Sequence, residues 1–196
     1  PSRNEFDVTN YDQMENYLQH KNINPIFHGG AFTSPPKIDN DPLKAIEVNV
    51  IGTSNMVKLA MKNDCKLIYV STDYVFRGDK GNYKEEDSVY PVNKYAWSKL
   101  AGECAVRLYD KSLIIRTSFG PDIFPYEKAF CDQWTSRESV TNTALMISEL
   151  IRKDYTGVIH VGGKRKSVYE YAVNLDKSST PKEIGKLSVC DVNFNV

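Results

Sequence analysis

The sequence predicts an α/β fold: a doubly wound parallel sheet with helices on its faces. Three observations carry that expectation. The runs "CKLIYVST" and "SLIIRTS" are apolar without alternation, the pattern of strands buried on both faces. The segments around them repeat apolar residues at three- and four-residue spacing, the helical period. Short strands and amphipathic helices then alternate along the chain, which is the order of a parallel sheet with crossover helices.

Taken in order, "NEFDVT" reads as a short strand. "YDQMENYLQHK" places Tyr11, Met14, Tyr17 and Leu18 at helical spacing, with Asn10 or Asp12 able to cap it. "NPIFHGGAFT" is a strand running into a Gly-Gly loop. "PLKAIEVNVIGTSNMVKLAMKND" is a long helix, apolar at Ala45, Val48, Ile51, Met56, Leu59 and Ala60. "CKLIYVST" is a buried strand, "NKYAWSKLAGECAVRLY" a helix and "SLIIRTS" a second buried strand. The remainder differs in texture. "FGPDIFPYEKAFCDQWTSRES" is loop-rich, "VTNTALMISELIRK" a helix and "GVIHVGG" a strand. "SVYEYAVNL" is a short helix capped by Ser167, and the tail "DKSSTPKEIGKLSVCDVNFNV" is mixed and partly extended. No internal repeat or low-complexity segment interrupts this order.

Composition narrows the function classes. The chain has 196 residues, 41% of them hydrophobic, enough for a packed core. Lys and Arg number 25 and so do Asp and Glu, which gives no electrostatic case for nucleic acid or an anionic membrane. No apolar run approaches the roughly 20 residues of a membrane span, and the polar opening "PSRNEFDVTN" is not a secretory leader. Cys65, Cys104, Cys131 and Cys190 form no C-x-x-C pair and no Cys/His cluster with zinc spacing. No metal site is expected, and scattered reduced cysteines point to the cytoplasm.

The chemistry is concentrated in "STDYVFRGDKGNYKEEDSVYPVNKYAWSKLAGE". Tyr95 and Lys99 are four residues apart, on one helical face. An ammonium beside a phenol favours the phenolate and lowers its pKa from about 10. Such a tyrosine exchanges a proton with an alcohol or ketone near neutral pH. Thr72 stands at the carboxyl end of a parallel strand, the edge where open α/β sheets bind ligands, and its hydroxyl can bond the same oxygen. Together the three groups suit carbonyl reduction. A tyrosine and a lysine at this spacing also occur on ordinary surface helices. It is the preceding strand, the loop residues Tyr83, Glu85 and Asp87, and then "P-x-N-x-Y-x-x-S-K-L-x-G-E" that make the combination specific.

With those segments the chain resembles the extended short-chain dehydrogenases/reductases, and within them the dTDP-4-dehydrorhamnose reductase branch. "VSTDYVFRG", "YPVNKYAWSKLAGE", "LIIRTSF", "CDQWTSRES" and "GVIHVGGKRKSVYEYA" carry the likeness, in the family's order and over nearly the whole chain. The resemblance implies an NAD(P)-binding Rossmann-like sheet, and reduction of a nucleotide-linked 4-keto-6-deoxy sugar by NADH or NADPH. The catalytic set falls on Thr72, Tyr95 and Lys99. Cofactor contacts fall on Asp7, Val8, Gly29, Gly30, Ala31, Asn49, Thr117 and Ser118 as well as Tyr95 and Lys99. Substrate contacts fall on Asp73, Tyr74, Asp132 and Gln133 beside Thr72. Residues 1–118 are then a partial cofactor-binding and catalytic domain. Residues 119–196 are mostly a substrate-side region whose helix and strand return to the main sheet. A homodimer is the assembly the resemblance allows.

Some positions have two readings. Asp7 serves as an adenine-contacting acid or as a helix cap, Trp134 as an aromatic platform or as core, and Arg116 as a contact or as structure. Lys164, Arg165 and Lys166 read as a solvated loop more readily than as a phosphate site. The chain also departs from the family. It contains no G-x-x-G-x-x-G loop, so the first β-α-β part of the expected fold is missing, and "PIFHGGAFT" stands where the family reads like "DVVINAAA". Two rival functions stay open. One is an epimerase or dehydratase on a related sugar, against which Asp73-Tyr74 argues because a dehydratase calls for an acidic pair there. The other is a regulatory subunit that keeps the fold without turnover.

Overall fold

The computed structural model of the chain describes residues 1–175 and 184–187. In chain order its elements are α1 (Tyr11–Leu18), β1 (Ile26–His28), α2 (Pro35–Asn40), α3 (Pro42–Ala45), a π-helical stretch (Ile46–Ile51) and α4 (Gly52–Lys62). There follow β2 (Leu67–Thr72), a 3₁₀ turn (Asp73–Val75), α5 (Lys94–Val106), β3 (Ser112–Thr117), β4 (Phe119–Gly120) and β5 (Lys128–Phe130). The last are β6 (Trp134–Thr135), β7 (Glu138–Ser139), α6 (Val140–Ile151), β8 (Gly157–Val161), β9 (Lys166–Ser167), α7 (Val168–Leu175) and β10 (Gly185–Leu187).

The chain forms two compact units. The first comprises residues 1–79, 83–116 and 154–160. Its sheet runs in the order β1-β2-β3-β8. Strands β1 and β2 pair in parallel, Ile26 opposite Leu67 and His28 opposite Tyr69. This is the α/β parallel-sheet architecture that the apolar strands predict. Leu67, Ile68, Tyr69, Leu113, Ile114 and Ile115 are all inaccessible or nearly so, as unalternating strands must be when both faces are covered. Helices α1 and α4 add Met14, Leu18, Met56, Leu59 and Ala60 to the same core. Each of the methionine and leucine side chains contributes about 1.5–3 kcal/mol over leaving it in water.

Capping side chains set where the helices begin. Asn10 Oδ1 accepts the Gln13 amide at 3.0 Å at the head of α1, and Asn93 Oδ1 accepts that of Ala96 at 2.8 Å at the head of α5. The second cap matters for function, because it fixes Tyr95 in the first turn of α5 and Lys99 in the next.

The second unit comprises residues 80–82, 117–153 and 161–196. Its core is Phe124, Ala129, Val168, Tyr171, Ala172 and Ile184. Two-stranded pairs surround that core: β5 with β10, β4 with β7 and β6 with β9. Helix α6 starts at Ser139, whose hydroxyl accepts the Asn142 amide at 3.2 Å.

Three local expectations need correction. "NEFDVT" is not a strand but a pair of turns. Asp7 Oδ1 takes both the amide and the hydroxyl of Thr9, at 2.9 and 2.8 Å, and such a local bond competes with a sheet ladder. The long helix from Pro42 is broken by the π-helical stretch, and a separate helix, α2, precedes it. The loop-rich segment from Phe119 to Ser139 holds four short strands. Most of the tail after Leu175 lies outside the described residues, which show one strand there, β10.

Candidate active site

Strand β2 ends on Thr72, and the chain turns at once into the 3₁₀ turn. The turn is held by Thr72 itself, whose Oγ1 accepts the Tyr74 amide at 3.2 Å and donates to Asp73 Oδ1 at 3.3 Å. The Thr72 hydroxyl is close enough to the Tyr95 phenol to hold its pKa down against burial. The Tyr74 ring meets the Tyr95 ring edge to face, with centroids 6.3 Å apart. Four of the sequence-predicted residues, Thr72, Asp73, Tyr74 and Tyr95, are therefore brought together at one strand end.

Lys99 lies one turn further along α5 and is 3% exposed. Its Nζ donates to the Val70 carbonyl at 2.7 Å and sits 4.1 Å from the centre of the Tyr69 ring. Burial lowers its pKa to about 7, against a smaller opposing pull from Glu103. The expectation that Lys99 makes Tyr95 acidic is not met in this arrangement. Burial raises the Tyr95 phenol, the Thr72 hydroxyl opposes it and Asp73 adds to the rise. The cause is geometric: the Lys99 amine is committed to the carbonyl of β2 and the Tyr69 face rather than to the phenol.

Asn49 comes from the π-helical stretch and is 1% exposed. Its side chain accepts the Phe32 amide at 2.7 Å and donates to the Phe32 carbonyl at 2.9 Å. It also donates to Ser98 Oγ at 2.8 Å, and Ser98 in turn donates to the Tyr95 carbonyl at 2.7 Å. One amide thus ties the loop after β1 to helix α5. Gly29 and Gly30 are exposed on that loop and Ala31 is half-buried. Asp7 and Val8 serve the first unit locally. Asp7 pairs with Arg3 at 2.9 Å, and its carboxyl is held below the usual range mainly by the Thr9 amide, with further help from Arg3. It does not cap α1, which Asn10 does. The Val8 carbonyl accepts Asn55 Nδ2 at 3.0 Å.

The remaining predicted residues belong to the second unit. Thr117 is buried with its hydroxyl making no hydrogen bond, and the Ser118 carbonyl accepts the Glu138 amide at 3.4 Å. Asp132 and Gln133 are exposed, and the Gln133 carbonyl accepts the Val168 amide at 2.9 Å.

Four further features stand out, of which the sequence reading offers only Arg116, as a contact or as structure. Ser71 is buried at the end of β2 and its hydroxyl makes no hydrogen bond. His28 is 3% exposed, has Nε2 within 3.0 Å of Thr53 Oγ1, and burial lowers its pKa to about 3. Ser98 relays Asn49 to the Tyr95 backbone. Arg116 grips Glu103 in a buried fork, Nε to Oε1 at 3.0 Å and Nη2 to Oε2 at 2.8 Å, and donates to the Glu85 carbonyl at 3.2 Å. Of these, Glu103 carried a signal: it follows Lys99 by four residues, so the two must share a face.

Comparisons with known proteins agree with this architecture. The chain is 37% identical over 117 residues to dTDP-4-dehydrorhamnose reductase of Aggregatibacter actinomycetemcomitans, a match spanning 59% of this chain and 40% of that relative. It is 42% identical over 81 residues to methionine adenosyltransferase 2 subunit beta of Bos taurus, spanning 41% of this chain and 24% of that protein. The crystal structure of dTDP-4-dehydrorhamnose reductase from Bacillus anthracis in complex with NADP superposes with a TM-score of 0.86 at 28% identity, covering 97% of this chain and 75% of that one. The chain thus spans less than half the length of these two curated relatives. Residues 1–140 match the family described as the RmlD substrate binding domain, and the chain belongs to that family.

Proposed function

We propose that this chain is the larger part of an NAD(P)H-dependent reductase acting on the C4 ketone of a nucleotide-linked 4-keto-6-deoxy sugar. The observation that carries the reading is the gathering of Thr72, Asp73, Tyr74 and Tyr95 at the end of β2, where the Tyr74 and Tyr95 rings meet edge to face, with Lys99 buried one turn behind. Relatives named as dTDP-4-dehydrorhamnose reductases, one of them holding NADP, support the substrate class and the cofactor.

The residues fit the nicotinamide and ribose end of such a cofactor. Ser71 presents a buried hydroxyl without a partner at the ligand edge. The loop of Gly29, Gly30 and Ala31 is braced from behind by Asn49. Lys99 and Tyr95 would hold the ribose hydroxyls. Bound there, the nicotinamide supplies the hydride. Thr72 donates a hydrogen bond to the ketone oxygen. Tyr95, kept as a neutral phenol by burial, gives its proton to that oxygen as negative charge develops. Asp73 and Tyr74, beside Thr72 in the first unit, contact the sugar, and Asp132 and Gln133 are the substrate contacts assigned to the second unit. The free thiols of Cys65, Cys104 and Cys131 support a cytoplasmic setting. Leu43, Trp97 and Leu108, all large and exposed, are compatible with a homodimer, for which sedimentation is the test.

The test is oxidation of NADH or NADPH, followed by absorbance, with the keto sugar made enzymatically from nucleotide-linked glucose. The protein assayed carries a glycine-rich half-fold ahead of Pro1. Cofactor consumption with the keto sugar is the expected result. Epimer formation without net consumption would move the assignment to an epimerase. Cofactor binding with no reduction of any keto sugar would favour a regulatory subunit. That second reading rests on the likeness to methionine adenosyltransferase 2 subunit beta.

A further inference from the structure

Tyr69 stands on β2, ahead of Thr72, and no step above uses it. It is fully buried, and both parts of its side chain meet Lys99. The ring lies under the amine, with Nζ 4.1 Å from its centre. The hydroxyl donates to the Lys99 main-chain carbonyl at 3.2 Å. The phenol comes this close to α5 because residue 102 has no side chain: a Cβ on Gly102 would lie 2.5 Å from the Tyr69 oxygen. One strand residue thus holds the turn of helix that carries Lys99 and also the end of its side chain.

The titratable groups around the amine lie on three elements: Tyr95 and Glu103 on α5, Tyr69 on β2 and His28 on β1. Glu103 favours the charged amine, but its carboxylate is gripped by Arg116. His28 is neutral, because burial and then the Lys99 charge disfavour its imidazolium. Burial keeps the Tyr69 phenol protonated. At close range the ammonium therefore meets the Val70 carbonyl, 2.7 Å away, and the electron-rich face of Tyr69. A cation over a ring gains most where both are out of water. Burial draws Lys99 toward the neutral amine, and the ring draws it back. The charge matters because an ammonium has three N–H donors. One is spent on Val70, and loss of the proton removes another.

We propose that Tyr69 is a positioning residue: its ring keeps Lys99 an ammonium against β2, and its hydroxyl fixes the turn of α5 from which Lys99 would hold the cofactor ribose. The role in the reaction rests on the reading of this chain as a nicotinamide-dependent reductase. The grip on Lys99 does not.

The grip is read first, on the chain as it stands, by NMR titration with lysine labelled at Cε. The Lys99 signal is identified by its loss in Lys99→Met. Three side chains are compared at position 69: tyrosine, phenylalanine and pentafluorophenylalanine, which keeps the ring but reverses the sign of its face. Phenylalanine should leave the titration point near that of the parent. The fluorinated ring should lower it by about one pH unit. The last two rings have nearly the same shape, so packing does not separate them, and the same titration point with both would overturn the proposal. The reaction is read second, in a chain extended at its N-terminus by a glycine-rich β-α-β half. There the basic limb of kcat/KM for keto-sugar reduction should move down with the Lys99 titration while the acid limb stays. Tyr69→Phe should raise the KM for NADPH roughly threefold with little change in kcat, the loss of one neutral hydrogen bond. An unchanged KM would overturn the part given to the hydroxyl. A basic limb that stays while Lys99 moves would overturn the role of the ring in the reaction. A parent chain that reduces no keto sugar would overturn the reductase reading and the positioning role with it, while the NMR titration still decides the grip.

Discussion

Tyr95 and His28 show how burial, more than neighbouring charge, sets the chemistry of single residues in this protein. Tyr95→Phe removes one hydroxyl and leaves a ring of the same shape. In a chain extended at its N-terminus by a glycine-rich β-α-β half, we expect the keto-sugar reduction rate to fall by about 10²–10⁴, the range for a lost general acid. Thermal unfolding should barely change. Turnover at the parent rate would remove Tyr95 from the proton step. His28 makes the opposite kind of prediction, about stability. Its folded pKa, about 3, lies below the ordinary 6.5 because burial disfavours the imidazolium. The unfolded chain therefore takes up a proton that the folded chain refuses. The contribution is complete above pH 6.5 and is lost as the pH falls toward 3. The slope for one proton is about 1.4 kcal/mol per pH unit. Denaturation midpoints measured from pH 6.5 down to 5 should slope less in His28→Asn than in the parent. An identical slope would place the effect elsewhere, His160 being the next candidate because burial lowers its pKa as well.

At the scale of elements, the packing of α5 on β2 decides the geometry of the site. Gly102 sits where the helix touches the strand. A Cβ there would lie 2.5 Å from the Tyr69 hydroxyl and 3.1 Å from the Asn49 carbonyl oxygen. Helix propensity alone would make Gly102→Ala stabilising by about 1 kcal/mol. We expect a net destabilisation instead, of about 1–3 kcal/mol by urea titration, because overpacking outweighs propensity. Adding Tyr69→Phe removes the nearest atom and should recover part of the loss; no recovery would place the clash at the Asn49 backbone. This same pair of elements was fully legible in the sequence. Continuous apolar runs define β2 and β3, and the Asn93 cap with Tyr95 and Lys99 defines α5. The "NEFDVT" segment misled because its alternation looks extended while Asp7 closes a turn on Thr9. The π-helical stretch left no periodic trace, since one extra residue in a turn blurs the period instead of ending it. Strands β4, β6, β7 and β9, two residues each, are too short for any alternation to register. In the candidate site, Thr72, Tyr95 and Lys99 could be found because their spacing states their chemistry. Ser71 and His28 could not, because only burial distinguishes them from ordinary strand residues.

For the whole molecule, the first expectation concerns the cofactor. The sequence contains no G-x-x-G-x-x-G loop, so the pyrophosphate of a dinucleotide finds no glycine backbone and helix N-terminus of that kind in this chain. Fluorescence titration with NADPH should give weaker binding to these 196 residues than to a chain extended at its N-terminus by a glycine-rich β-α-β half. Equal affinities would show that Lys99, Asn49 and the Gly29-Gly30 loop suffice. A further consequence follows from the way the first unit is assembled from separated stretches, its last strand, β8, arriving only with residues 154–160. During synthesis, at about 5–20 residues per second, β3 emerges well before the strand that will cover its outer side. Until residues 117–153 have followed, β3 presents a row of unpaired amides and carbonyls, along with the apolar side chains of Leu113, Ile114 and Ile115. That interval is when a nascent chain is most open to pairing with a neighbour. A chain ended after Arg116 would hold that vulnerable state permanently.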